Sequence, residues 1–319
     1  MELEEMFSKE HSENLPTVRI KKIALKNFKS VVSGEIVLNC GRQFIPYGTE
    51  SDILGLYGQN GSGKTSLIEA LSVLECLITG SRVPDDYADC IAVNADFAEL
   101  EFTFDLQYPN GELREAIYRF CMDKCVISEE ERQERNKRLP ESYQLPEESY
   151  KVRIFNESIK LSWTEDGSYK RSQLIIDTST DDAPFGPVGK RKFFVSDYRK
   201  VKSALEVSKR YALDKSQSFI FRKDTLEIFN AAGLYSMFFQ VILELGYYGR
   251  LFLFVIDTKS SGFIRFNFAI PIYTQFGRYV FDARRPEVMS DEELDLVSKQ
   301  INGISVVLNQ IVPGLTISF

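Results

Sequence analysis

The residues with the clearest chemical potential lie in one glycine-rich stretch, residues 54–71. It fits the pattern G-x-x-x-x-G-K-[ST] at Gly58, Gly63, Lys64 and Thr65. Glycines let the main chain curl so that consecutive N–H groups point at phosphate oxygens. The lysine ammonium can then reach terminal phosphates, and the threonine hydroxyl can bind Mg²⁺. The pattern predicts a phosphate-binding loop consisting of Gly58, Gln59, Asn60, Gly61, Ser62, Gly63, Lys64, Thr65 and Ser66, with Lys64 as the catalytic residue.

The elements on either side of this loop must hold it in place. An apolar run from Ile53 to Tyr57 predicts a strand before the loop. After the loop, apolar residues recur at spacings suited to one helix face: Leu67, Ile68, Leu71, Leu74 and Ile78. The helix would add unpaired first-turn N–H groups and the positive end of its dipole. A glycine-rich turn that matched the pattern by chance would not be expected to lie between a strand and a helix. The sequence therefore favours a nucleotide-binding site.

Composition narrows the class of protein. With 319 residues, 44% hydrophobic and 27% charged, the chain is expected to be a soluble, cytoplasmic protein of one large or two ordinary domains. Residues 1–14 are acidic and lack the apolar core of a signal peptide. Two long uncharged runs, residues 228–243 and 300–319, contain amides or a Pro-Gly break, so we expect buried core segments and no membrane span.

The few cysteines and the single histidine exclude several other chemistries. Five scattered cysteines do not suggest a disulfide framework. Cys121 and Cys125 are spaced four apart, but His11 is the only histidine, so a zinc site lacks ligands. One histidine also leaves little room for histidine-based nucleophilic catalysis.

Strand and turn signals flank the predicted helix. Alternating apolar and polar residues predict strands, and Pro109-Asn110-Gly111 predicts a hairpin turn between two of them. Residues 129–148 are almost all polar or charged, which predicts a solvated loop or a short exposed helix. Because strand follows strand directly, the sheet cannot be purely parallel. The predicted strands are Thr17–Leu25, Gly34–Leu38, Phe97–Tyr108, Glu112–Cys121 and a three-stranded meander over Lys151–Ile176.

The C-terminal half has weaker signals. Residues 181–189 are rich in Pro and Gly and form the best candidate for an internal boundary. The pattern then predicts a helix over Thr225–Leu245, strands at Leu251–Ile256 and Phe263–Ile270, a helix from Ser290 towards Val312, and a final strand at Leu315–Phe319.

A basic stretch runs from Lys190 to Lys223. Residues 190–224 hold eleven basic residues against four acidic ones, with aromatic residues between them, although the whole chain carries a net charge of −7. One interpretation is a helical surface that contacts DNA or RNA. The other, which we favour, is a solvated helix face whose aromatic side chains pack inward.

The N-terminal context of the loop resembles a known group. An alternating strand, then Asn27-Phe28-Lys29-Ser30, a short gap and the loop Gly58–Ser66 resembles the start of the SMC/RecF/Rad50-like ABC-type ATPases. Within that group the chain is most similar to bacterial AAA15 and OLD-type proteins, many of which act in anti-phage defence. The resemblance implies ATP and Mg²⁺ as ligands and a dimer, or a complementary ATPase half, as partner. It also implies that Phe28, Lys29 and Ser30 lie near the nucleotide.

The resemblance further suggests roles for residues outside the loop. Gln107, before the Pro109 turn, stands where ABC-type proteins place a glutamine that touches Mg²⁺. A signature loop, a strand ending in Asp-Glu and a switch histidine are not found. Asp177 and Asp257 end apolar runs but are followed by threonine. We therefore expect hydrolysis only with elements supplied by further sequence or a partner, and we expect the chain to be part of a longer or split protein.

These observations define the fold and function that we expect. The fold is α/β, a P-loop NTPase lobe of ABC-ATPase type with a mixed sheet and an inserted segment of β-meander and helices. The divisions are a disordered acidic lead (1–15), the ATPase lobe (16–125), the insertion (126–245) and a continuation of the lobe (246–319). The expected function is ATP binding that drives conformational change in a nucleic-acid-linked, anti-phage assembly. The alternative is an ATP-binding interaction module without turnover.

Overall fold

A six-stranded antiparallel sheet, in the order β2-β1-β3-β4-β5-β6, dominates the fold. The computed structural model describes residues 15–38, 55–59, 63–137, 144–165, 168–180, 182–253, 255, 269–274 and 277–282. The strands of this sheet are β1 (Thr17–Phe28), β2 (Val31–Val37), β3 (Phe97–Gln107), β4 (Leu113–Val126), β5 (Tyr150–Glu165) and β6 (Ser168–Asp177). A separate hairpin pairs β7 (Ala269–Thr274) with β8 (Gly277–Asp282).

Five α-helices accompany the strands in the described residues. They are α1 (Lys64–Ile78), α2 (Glu129–Asn136), α3 (Tyr198–Asp214), α4 (Lys223–Ala231) and α5 (Met237–Leu251). Short 3₁₀ helices span Asp85–Cys90 and Val188–Phe193. None of the helices in the described part of the chain is both long enough and apolar enough to cross a bilayer.

The core forms because alternate residues of the strands face the helices. Leu100, Phe102 and Phe104 of β3 are fully buried, and Tyr118 and Phe120 of β4 lie beside them. Side chains of this size each stabilise the fold by about 1.5–3 kcal/mol when buried. The alternation in the sequence therefore determines which face of the sheet packs inward.

Helix α5 packs against α1, the helix that follows the glycine-rich loop. A Cβ atom on Gly249 would lie 2.5 Å from Cγ1 of Ile78, so any larger residue would force the Ile78 side chain to shift. Buried apolar side chains of α5, including Val241, Ile242 and Leu245, join the same core as Leu74 and Leu77 of α1. The position of α1 thus depends on packing against both the sheet and α5.

Several predicted elements are confirmed, including β1, the β3–β4 hairpin and the exposed helix α2. The predicted three-stranded meander is wrong in one respect, because Lys151–Ile176 contributes two strands. The expected break lies inside β5, where the pairing partner of Arg119 is Ser158 and that of Cys121 is Phe155. One extra residue on β5 forms a bulge, and Asn156 adopts φ +51° there.

The predicted long helix over Thr225–Leu245 is also wrong. Gly233 has φ +64°, which separates α4 from α5. Ser236 then starts α5 by accepting a hydrogen bond from the Phe239 N–H at 3.2 Å. Leu251 ends α5 and does not begin the predicted strand, and Phe252, Leu253 and Val255 lie outside helix and strand.

Other predictions fall partly or wholly outside the described residues. Residues 55–59, expected to continue a strand, show no regular secondary structure, and residues 51–54 are not described. Of the strand expected over Phe263–Ile270, only Ala269 and Ile270 are described, at the start of β7. The predicted helix from Ser290, the strand at Leu315–Phe319 and the acidic lead up to residue 14 lie outside the described residues.

The sheet crosses the predicted boundary between lobe and insertion. Val126 of β4 still pairs with Tyr150 of β5, and β6 extends the same sheet. By its internal contacts the chain divides into one unit up to Asp257 and a second from Thr258.

Candidate nucleotide-binding site

The glycine-rich loop leads directly into the first turn of α1. Gly63, the residue before the helix, has φ +87°, a conformation that strongly favours glycine. The Lys64 ammonium donates hydrogen bonds to the carbonyl oxygens of Gly58 and Gln59, both at 2.8 Å. The lysine side chain therefore folds back across the loop. Asn60, Gly61 and Ser62 lie outside the described residues.

The start of α1 is suited to an anion. No acidic residue lies in the first turn of the helix, so its positive dipole end is not opposed there. Thr65 is exposed, which leaves its hydroxyl accessible to a metal ion, whereas Ser66 is buried. A Cβ atom on Gly63 would lie 3.1 Å from Cγ2 of Val31, so the loop approaches β2 closely. These features fit the phosphates and Mg²⁺ that the sequence pattern predicts.

The turn between β1 and β2 lies beside this loop. Phe28 is fully buried and forms a β-bridge with Ile91. Lys29 adopts φ +51°, and its N–H donates to the Cys90 carbonyl at 2.6 Å. Ser30 is exposed and precedes Val31, the residue that faces Gly63. The structure therefore places Phe28, Lys29 and Ser30 at the same end of the sheet as the loop.

One residue of the site was missed from the sequence. Glu69 lies on α1 and is 3% exposed, and its carboxylate pairs with the Lys29 ammonium. The Cys90 thiol lies 3.8 Å from the same carboxylate and donates to it. A signal was present, since Glu69 is flanked by buried Leu67, Ala70 and Val73. A carboxylate among apolar helix positions requires a buried partner.

Gln107 is not brought to this site. It ends β3, where it pairs with Thr17 of β1 and Leu113 of β4. The loop lies near the other end of β1, which is 12 residues long, so the separation is roughly 35 Å at about 3.3 Å per residue. The buried Oε1 of Gln107 accepts no hydrogen bond from the described residues. Its position gives no support to a role as Mg²⁺ ligand at the loop.

Two aspartates that end apolar runs, Asp177 and Asp257, were considered as Mg²⁺ ligands. Asp177 ends β6, the edge strand farthest from β2 in the sheet order. Its Oδ1 accepts a hydrogen bond from the Ser179 N–H at 2.9 Å, as at an ordinary strand end. Asp257 lies outside the described residues.

Most aromatic residues of the basic stretch pack inward. Phe194, Phe219 and Phe221 are buried in the core. Several cations are also engaged within the chain: the Lys209 ammonium donates to the Thr178 carbonyl at 2.7 Å, and Arg222 pairs with Asp224 at 2.7 Å. These contacts agree with the interpretation that we favoured for this stretch, a helix face with inward aromatic packing.

The family of the chain follows from a comparison with protein-family models. The model described as AAA domain matches residues 22–230, which include β1, the phosphate loop and α1. The chain belongs to the AAA domain family. No curated protein matches it. The AAA domain match and the mixed α/β fold together identify an ATP-binding, nucleotide-binding domain of the P-loop ATPase class.

Proposed function

We propose that this AAA domain binds ATP together with Mg²⁺ at the loop before α1. The observation that carries the proposal is the left-handed Gly63 followed by Lys64 at the N-terminus of a helix that has no side-chain cap and no acidic residue in its first turn. Lys64 would contact the β- and γ-phosphates, and the Thr65 hydroxyl would bind Mg²⁺. The bound Mg²⁺ would offset phosphate charge. Phe28, Lys29 and Ser30 would border the nucleotide on the β2 side.

A nucleotide titration tests this proposal. We expect ATP to bind the purified chain more tightly with Mg²⁺ than with EDTA, as measured by isothermal titration calorimetry. GTP at equal concentration should displace a fluorescent ATP analogue less effectively than ATP does. Equal affinities with and without Mg²⁺ would contradict the proposed metal role of Thr65.

We further propose that ATP binding and hydrolysis drive a conformational change, with a second copy or a complementary ATPase half completing the site. The resemblance to SMC/RecF-like ATPases alone supports this conformational change. It is also the only support for a place in a nucleic-acid-linked, anti-phage assembly. The alternative is an interaction module that holds ATP without turnover. We expect phosphate release by the chain alone to be very slow, because the sequence shows no strand ending in Asp-Glu whose glutamate could orient the attacking water. Rapid, Lys64-dependent phosphate release would contradict this expectation.

A nucleic-acid contact would use the exposed cations of α3. Arg199 and Arg210 are exposed and form no ion pair with the other described residues, and Lys200 has an 82% exposed side chain. If these three residues contact DNA phosphates, the logarithm of the association constant should fall linearly with the logarithm of the salt concentration. Each phosphate contact contributes about −0.9 to the slope. Changing all three to glutamate should reduce the slope by about 3 in a fluorescence anisotropy titration with duplex DNA.

A charge-matched control accompanies this experiment. The exposed residues Lys26, Lys137 and Lys160 lie outside the basic stretch, so changing them to glutamate alters the net charge equally. This control should keep the slope of the unmodified chain. Equal slopes for both triple variants would leave only the interpretation of α3 as a solvated helix face.

A further inference from the structure

A buried ion pair links the two sides of the candidate site. Glu69 of α1 has a side chain that is 3% exposed, and the Lys29 ammonium that neutralises it is 28% exposed. Placing a carboxylate at this depth is unfavourable unless a cation and hydrogen-bond donors accompany it. Lys29 supplies the cation and Cys90 supplies a thiol donor. The turn that carries Lys29 therefore stabilises the buried carboxylate of Glu69 on α1.

The turn is held at its main chain as well as its side chain. The Lys29 N–H donates to the Cys90 carbonyl at 2.6 Å, and the Ala92 N–H donates to the Asn27 carbonyl at 2.9 Å. Asn27 and Lys29 both have positive φ, at 54° and 51°. Such conformations persist where surrounding contacts enforce them. Glu69 adds a contact from α1 through the Lys29 side chain.

This pair lies close to the phosphate loop. Val31 follows the turn by one residue, and its Cγ2 would be 3.1 Å from a Cβ atom on Gly63. Glu69 is on the same helix as Lys64, five residues further on. One end of the ion pair is therefore fixed to the helix that carries Lys64, and the other end to the turn that borders the loop.

We propose that Glu69 is a positioning residue for the nucleotide site, which holds the β1–β2 turn against the phosphate loop through Lys29. This inference rests on the proposed function, because it concerns the affinity of the same site for ATP. A turn that is already in place need not be ordered when ATP binds, and avoiding that ordering cost strengthens binding. Loss of the pair should therefore weaken ATP binding even where the fold survives.

The test must separate positioning from stability. Removing one partner leaves an uncompensated buried charge, which destabilises the fold by itself. The informative variant is the double change Lys29→Met and Glu69→Gln, which removes both charges and keeps similar side-chain volumes. We expect its ATP dissociation constant to rise by roughly tenfold by calorimetry. Lys29→Arg keeps the charge pair, so we expect it to lose less ATP affinity than the double variant does.

A matched pair elsewhere provides the control. Arg114 and Glu112 form an ion pair at 2.7 Å, with side chains 8% and 26% exposed. Arg114 pairs in the sheet with Leu106, next to Gln107 and at the end of β3 away from the phosphate loop. The double change Arg114→Met and Glu112→Gln should lower the urea midpoint but leave the ATP dissociation constant unchanged.

The possible outcomes are distinct. A Lys29→Met, Glu69→Gln variant that binds ATP as tightly as the unmodified chain would overturn the inference and leave a purely structural ion pair. If that variant does not fold, Glu69→Asp takes its place, because it keeps the charge but is one methylene shorter. We then expect a smaller rise in the dissociation constant, and no rise would overturn the inference. Absence of ATP binding by the unmodified chain would instead refute the proposed function.

Discussion

Changing Lys64 to alanine should weaken ATP binding by roughly ten- to a hundredfold. A charge-assisted hydrogen bond contributes about 1.5–3 kcal/mol, and each 1.4 kcal/mol corresponds to a factor of ten in affinity. The Lys64 ammonium already lies over the loop, 2.8 Å from the carbonyl oxygens of Gly58 and Gln59. It therefore needs only a local movement to contact bound phosphates. We expect the free energy of unfolding to change by less than about 1 kcal/mol, because Lys64 is only half-buried.

Calorimetric titration with ATP and urea unfolding together check this expectation. Lys223→Ala is a suitable control, because this lysine also begins a helix and has an 80% exposed side chain. The control should retain the affinity of the unmodified chain. An unchanged dissociation constant for Lys64→Ala would show that the loop before α1 is not the phosphate site. Tighter binding of GTP than of ATP would contradict the proposed base preference.

The contiguous part of the site could be predicted from the sequence. Gly58, Gly63, Lys64 and Thr65 act through main-chain geometry and a helix terminus, both of which are local properties. Glu69 could not be assigned in this way. Its role depends on Lys29, which is 40 positions earlier in the sequence and meets Glu69 only in the folded chain. Pairs of this kind are created by tertiary packing.

The same distinction between local and tertiary causes explains the errors in the fold. Alternation in β3 and β4 is local, so the hairpin was predicted correctly. The prediction of three strands over Lys151–Ile176 required a break that β5 does not have, because pairing with β4 holds the strand together around a bulge at Asn156. A bulge and a turn both interrupt the alternation of a strand, so their sequence signals are similar. Only the pairing with a neighbouring strand distinguishes them, and the sequence of the strand itself does not show that pairing.

The end of the long predicted helix shows how a single residue can decide between alternatives. The apolar run over residues 225–245 suited one helix, yet Gly233 interrupts it with positive φ. After this break, Ser236 caps a new helix, and Gly249 allows that helix to pack against Ile78. A glycine inside an apolar run is tolerated in many helices, so the run alone did not predict the break.

Changing Glu244 to glutamine should stabilise the chain at pH 8 but not at pH 5. Glu244 lies on α5 and is 3% exposed, and its carboxylate accepts a hydrogen bond from the Tyr108 hydroxyl at 2.5 Å. Burial raises the pKa of Glu244 to about 7, although Arg114 favours the charged form. Because the pKa is higher in the folded chain than in the unfolded one, the folded state binds the proton more tightly. This stabilising effect is complete below pH 4.5 and is lost as the pH rises through 7.

The raised pKa of Glu244 also determines how much the stability changes with pH. One pKa unit corresponds to about 1.4 kcal/mol, so the unmodified chain should lose roughly 2–3 kcal/mol through Glu244 between pH 5 and pH 8. Glutamine has the same shape and can still accept from Tyr108, but it does not ionise. Its advantage over glutamate should therefore appear only at high pH. Urea unfolding at pH 5 and pH 8 measures the difference directly.

Other buried acids require that the variant be compared with the unmodified chain at each pH. Burial also raises the pKa of Glu157 and of Glu75, so the unmodified chain has more than one source of pH dependence. Subtracting the stability–pH curve of the unmodified chain from that of the Glu244→Gln variant isolates the contribution of Glu244. Glu227→Gln, at an exposed position of α4, serves as the control. The control should show the pH dependence of the unmodified chain. If Glu244→Gln has the same stability difference from the unmodified chain at pH 5 and at pH 8, Glu244 titrates normally. The burial of Glu244 would then not govern its ionisation.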